Sequence, residues 1–249
     1  MKICIFLIIF LFPFPVFANE CVILLHGLAR TASSMNKMEQ RLLKEDYKVV
    51  NVDYPSRKYE IEELSTLAIE KGLEGCKTYK PTKIHFVTHS LGGILIRQYL
   101  TKHKIEKLGR TVMLGPPNNG SEAVDKLKNV PGYKFINGPA GMQLGTGVQS
   151  IPQSLGEADF EVGIIAGTHS INLFLSMLIP STDDGKVSIE SAHLKNEKDF
   201  MDVPVSHPFL MKNDQVIENV IRFIKDGKFV KDQQSSLPCR FGGIRQLTN

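Results

Sequence analysis

Short runs of four to seven apolar residues alternate along this chain with longer stretches in which apolar residues recur every three or four positions. The short runs predict strands at 21 to 26, 48 to 53, 84 to 88, 110 to 115 and 161 to 166; the longer stretches predict helices at 34 to 45, 60 to 75, 91 to 102 and 214 to 226. Strands that alternate with helices in this way imply an α/β architecture, a mostly parallel sheet with helices on both faces. Leu91, Ile94, Leu95, Tyr99 and Leu100 fall on one helical face, which predicts a helix packed on the sheet. Two regions resist the pattern. Gly115 to Ser121 reads as a turn at a strand end, and the glycine-rich stretch Gly132 to Gly156 reads as a long loop, either a functional wall or a surface excursion. Ile171 to Ile179 is apolar, and burial explains it without a membrane.

Candidate chemistry starts where the strand Ile84 to Val87 runs into Thr88-His89-Ser90-Leu91-Gly92-Gly93. A serine between small residues on a strand-to-helix turn is the layout of a nucleophile elbow, because a serine hydroxyl must stand exposed to a base and to oxyanion donors. Gly92 suits that turn; Thr88, a β-branched residue where a glycine is usual, is expected to crowd it. The alternative makes Ser90 a helix N-cap. A second strand, Cys21 to Leu25, ends in His26-Gly27-Leu28-Ala29-Arg30.

Through Leu25-His26-Gly27-Leu28 and His89-Ser90-Leu91-Gly92-Gly93 the chain resembles the lipase and esterase branch of the α/β-hydrolase superfamily. The resemblance implies an α/β-hydrolase fold with a short cap or lid-like insertion at about 120 to 157, and oxyanion donors at the N–H groups of Leu28 and Leu91, supported by His26, Gly27, His89 and Gly92. It implies the chain order Ser, acid, His. Ser181-Thr182-Asp183-Asp184-Gly185-Lys186-Val187 resembles the Asp-Gly-x-Val turn that carries the acid in bacterial lipases, which makes Asp184 the acid and Asp183 the alternative. His207, in a loop before the last helix, occupies the place of the catalytic histidine; a loop histidine beside a proline is otherwise a solvent-exposed residue. The implied reaction is two-step acyl transfer on an ester, without a cofactor. A thioesterase or acyltransferase using the same triad, and a hydrolase-like binding protein without activity, are the alternatives.

The N-terminus changes the compartment. Lys2, an apolar run from Ile3 to Phe12, and Val16-Phe17-Ala18 read as a signal peptide over 1 to 18, with a mature start at Asn19; an uncleaved anchor is the alternative. In an exported α/β-hydrolase, Cys21 and Cys76 lie at neighbouring strand starts and are expected to form a disulfide adding roughly 2 to 4 kcal/mol; two free thiols are the alternative. The domain is expected over 19 to 232, with a polar tail over 233 to 249. Of 249 residues, 42% are hydrophobic and 22% charged, which suits one globular domain, and a net charge of +4 is too small and dispersed for a nucleic-acid partner. Cysteines and histidines lack metal-ligand spacing, and Phe209 stands where calcium-dependent bacterial lipases carry an aspartate, so no metal is expected. The expected partner is a small-molecule or lipid ester, with transient contact to a lipid surface; the sequence sets no oligomeric state.

Overall fold

Six short strands form the frame: β1 (Glu20–Leu25), β2 (Lys48–Val52), β3 (Lys83–His89), β4 (Leu108–Leu114), β5 (Val162–Gly167) and β6 (Asp199–Val203). The computed structural model describes residues 19–171, 176–177, 179 and 181–231; the candidate signal peptide, the polar tail and much of the 171 to 179 segment lie outside them. The strand order is β2-β1-β3-β4-β5-β6, and every neighbouring pair is parallel. All C-terminal strand ends therefore share one edge, the edge on which open α/β sheets place their ligands. Five strands stand where the apolar runs predict them. β6 does not appear in that reading because its Asp199 and Asp202 interrupt the apolar signal, as an edge strand permits.

Side chains alternate between two cores. Cys21, Ile23 and Leu25 of β1 join helices α2 (Ile61–Lys77) and α3 (Leu91–Leu100), while Val22 and Leu24 join α1 (Asn36–Lys44) and the last helix, Asp214–Asp226. Helix α3 is buried from Leu91 through Tyr99, with Arg97 and Gln98 included, so it is enclosed on more sides than its single predicted face. Cys21 and Cys76 form the expected disulfide, with Cα atoms 5.9 Å apart and 55 residues of separation. Closing a loop of that size is worth about 4 kcal/mol on the chain-entropy account, and it ties the end of α2 to the start of β1.

The glycine-rich stretch is not the loop its composition suggests. Three short helices, α4 (Glu122–Leu127), α5 (Tyr133–Met142) and α6 (Ile151–Ser154), occupy this insertion. Gly138, at φ 66°, breaks α5 ahead of Pro139, so the glycines and prolines punctuate helices rather than exclude them. Helix α7 (Ile189–Ala192) follows the acidic turn, capped by the Ser188 side chain, which accepts from the Ser191 N–H at 3.0 Å. The final helix, α8 (Asp214–Asp226), is capped by Asn213, which accepts from Val216 N–H at 3.1 Å, and ends at Gly227 in the left-handed region.

Candidate active site

Ser90 sits one residue past the end of β3 with φ 53° and ψ −119°. A non-glycine residue in that region costs of order 1 to 3 kcal/mol and persists only where neighbours enforce it. Here its N–H bonds Leu114 O at 2.9 Å, extending the β3–β4 ladder, while α3 begins at the next residue. The turn needs Gly92, because a Cβ there would lie 2.8 Å from Leu25 O and 2.9 Å from Leu25 Cβ. Gly93 packs beside Thr88: a Cβ at position 93 would crowd Pro116 at 3.1 Å and Met113 at 3.3 Å and touch the Thr88 hydroxyl at 3.4 Å. Thr88 is fully buried.

His207 does not lie in solvent. It is 3% exposed, at the start of a 3-10 turn (His207–Lys212), and its Nδ1 is 2.6 Å from Asp184 Oδ2. Asp184 Oδ1 accepts from the N–H groups of Lys186 at 3.0 Å and Val187 at 2.9 Å, and Asp184 O accepts from His207 N–H at 2.9 Å. Asp183 points elsewhere: its carboxylate accepts from the Ser176 hydroxyl and from Gly185 N–H at 2.6 Å. Gly115, just past β4, makes room for the pair. It holds φ 54°, and a Cβ there would lie 3.0 Å from Asp184 Oδ2 and 3.1 Å from His207 Nδ1.

Ser90, Asp184, His207 and Leu28 all line one cavity of about 390 Å³, with His89, Arg30 and Lys186. Its wall is largely apolar and comes from the insertion, through Val124, Leu127, Tyr133 and Leu144. The two motif histidines are buried and support the loops. His89 Nε2 donates to His207 O at 3.0 Å, and its ring lies 4.7 Å from the His207 ring. Burial, reinforced by His207, holds the His89 pKa well below its ordinary value. His26 Nδ1 donates to Gly27 O at 2.9 Å and Nε2 faces the Tyr54 N–H at 3.4 Å, an arrangement that uses the neutral ring; burial lowers its pKa too. A Cβ on Gly27 would lie 2.7 Å from His89 Nδ1, so only glycine passes between these loops.

Two positioning residues escape a reading of the sequence. Tyr54 stacks on His26 at 4.0 Å and donates its hydroxyl to His26 O, fixing the loop that carries Leu28. Its signal is an aromatic residue right after β2. Arg97, on α3, is 5% exposed and donates to Asn118 O at 2.9 Å, Asn118 Oδ1 at 3.1 Å and Gly156 O at 2.8 Å. It joins α3 to the Gly115 turn and to the end of the insertion, and burial lowers its pKa to about 10. A lone arginine in an apolar helix is the only trace it leaves in the sequence.

Residues 21–153 match the family model for palmitoyl protein thioesterase. Among solved structures, the mature form of Bacillus licheniformis lipase BlEst2 is similar with TM-score 0.66 and 18% identity, covering 86% of this chain and 94% of that one. The product of gene lin2722 from Listeria innocua is similar with TM-score 0.55 and 20% identity over 86% of this chain and 96% of that one. Phospholipase PlaB from Legionella pneumophila has TM-score 0.58 and 16% identity over 70% of this chain and 45% of its own. At these identities the likeness shows the fold, which is that of the α/β-hydrolases. No curated protein matches the chain.

Proposed function

This chain belongs to the palmitoyl protein thioesterase family and has the α/β-hydrolase fold, and on that premise we propose that it is an exported serine hydrolase that cleaves carboxylic esters through Ser90, His207 and Asp184. The observation that carries the reading is the meeting of a serine on a strained strand-to-helix turn with a buried His207–Asp184 pair, 2.6 Å apart, in one cavity. With its Nδ1–H given to Asp184, the His207 ring is held in the tautomer whose Nε2 accepts a proton. His207 takes the Ser90 proton as Oγ attacks the acyl carbon, and the N–H groups of Leu28 and Leu91 hold the oxyanion. His207 then protonates the departing alcohol. Water, deprotonated by His207, releases the acid and restores Ser90.

Asp184 is the acid in this reading and Asp183 a structural residue of its turn, tied to Ser176 and Gly185. The apolar wall of the insertion receives the acyl chain, which makes it the cap. Export is supported by the N-terminal sequence and by the Cys21–Cys76 disulfide, which persists in oxidising compartments; among the described residues no helix is long and apolar enough to cross a membrane. A second reading, hydrolysis of thioesters, is favoured by the family match and uses the same atoms with a thiol as leaving group.

The test is hydrolysis of p-nitrophenyl esters of increasing acyl length, beside thioesters of the same acids, by the chain starting at Asn19 and by its Ser90→Ala variant. The expected result is turnover that falls by about 10⁴-fold or more in the variant, with the better substrate class choosing between the readings. Equal rates in the two proteins would contradict the proposal.

A further inference from the structure

Arg30 and Lys186 are brought to the same cavity by the two loops that the reaction uses. Arg30 follows Leu28 by two residues, around a turn in which Ala29 takes φ 55° and gives its N–H to Ser56 Oγ at 3.1 Å. Lys186 follows Asp184 by two residues; its N–H donates to Asp184 Oδ1 at 3.0 Å and its carbonyl accepts from Ser121 Oγ at 2.9 Å. Backbone anchoring thus fixes where both side chains start, and both line the cavity with Ser90 and His207.

Neither cation has a carboxylate of its own among the described residues. Arg110 and Lys198, by contrast, share Glu161. The acid whose charge acts on Lys186 is Asp184, whose oxygens are already engaged by His207, Lys186 N–H and Val187 N–H. Both side chains are exposed at the cavity; partial desolvation, and then the Arg30 charge, hold the Lys186 ammonium below its ordinary pKa, so the two cations act on each other. Two like charges beside an apolar cavity repel, and an anion placed between them relieves that repulsion. An arginine fork and a lysine ammonium are also the donors that suit phosphate and carboxylate oxygens.

We propose that Arg30 and Lys186 form an anion subsite on the leaving-group side of the cavity, selecting esters or thioesters whose alcohol or thiol portion carries a phosphate or carboxylate. The side is assigned from the acid turn: Lys186 stands on the turn that holds His207 through Asp184, His207 must deliver its proton to the leaving atom, and the insertion's apolar residues, which line the same cavity, are left for the acyl chain. The inference rests on the serine hydrolase reading and adds the charge of the substrate to it.

Two matched substrate pairs test it. One compares 2-nitrophenyl octanoate with 4-nitro-3-octanoyloxybenzoate, which adds a carboxylate to the same leaving group; the other compares the octanoyl thioester of pantetheine with that of 4′-phosphopantetheine, which adds a phosphate. At low salt the charged member of at least one pair is expected to have a kcat/KM about ten-fold higher, a ratio near one in the Arg30→Gln/Lys186→Gln double variant, and a ratio partly kept in Lys186→Arg. The pair that responds identifies carboxylate or phosphate. A ratio at or below one in the unaltered protein, or equal proportional losses on charged and neutral members, overturns the subsite. Calorimetric titration of coenzyme A and of 3-hydroxy-4-nitrobenzoate into Ser90→Ala reads it without turnover. Binding lost in the double variant supports the subsite even if no ester is cleaved, which would fault the hydrolase reading alone; absence of binding by both probes overturns the subsite.

Discussion

The two edges of the sheet carry similar kinds of residues in opposite states. At the N-terminal edge, a cavity of about 280 Å³ is lined by Lys83, His85, Arg110, Asp159 and Glu161. Its charges answer one another: Arg110 meets Glu161 at 2.7 Å and donates to Ile224 O at 2.7 Å, Lys198 also reaches Glu161, and His85 faces Glu20 at 3.4 Å. At the C-terminal edge, His207 pairs with Asp184 and His26 with Asp53, while Arg30 and Lys186 stand beside an apolar wall with no ion pair among the described residues and Ser90 holds a strained backbone. At the N-terminal edge Arg110 and Lys198 are neutralised by a shared Glu161, although Lys83 and Asp159 carry no ion pair among the described residues. At the C-terminal edge the unpaired cations stand beside a strained serine and a buried His207–Asp184 pair, so a count of charged residues does not separate a site from a seam, and what those charges stand beside does.

The sharpest way to break this contrast is at the acid turn. Asp184→Asn is expected to lower kcat by about 10³-fold or more, since it removes the acceptor that fixes His207, while Asp183→Asn stays within about ten-fold; the reverse order would exchange the two roles. Next in size, Cys21→Ser/Cys76→Ser is expected to lower the unfolding free energy by about 4 kcal/mol in urea titrations, while the nascent site geometry, built by β3, β4 and the acid turn, keeps its specific activity below the new transition. A smaller effect concerns pH. Burial lowers the pKa of His26, His85 and His89 in the fold, so the unfolded chain takes up protons first and stability, complete above pH ~6.5, falls as the pH drops below that value. Tm measured between pH 8 and 5 should show that fall, flattened more by His89→Gln than by His85→Gln, because Glu20 opposes the shift at His85. Last, Glu161→Gln at the opposite edge is expected to cost about 1 kcal/mol or less, its pairs being partly exposed, and to leave the kinetics of the proposed reaction unchanged.

The legible parts of the sequence were those in which one short segment carries its own geometry. His89-Ser90-Leu91-Gly92 encodes its turn through a glycine whose Cβ would strike Leu25, and Asp184-Gly185-Lys186-Val187 encodes an acid held by its own backbone N–H groups. The residues alone do not separate Asp183 from Asp184, because their different partners, Ser176 and His207, are brought there by tertiary packing. The insertion reads as a loop because glycine and proline lower helix propensity, and packing against α3 and Arg97 outweighs that preference. Strand β6 was missed because Asp199 and Asp202 hide its pairing with β5, and Arg97 and Tyr54 because their roles depend on residues distant in the chain.

The central claim is that Ser90 is activated by its surroundings. Fluorophosphonate labelling, followed by mass spectrometry of the peptide spanning residues 84–97, tests it most directly. The account predicts a stoichiometric adduct on Ser90 that forms far more slowly in Asp184→Asn than in Asp183→Asn. An unlabelled Ser90, or an adduct on another residue, would contradict it.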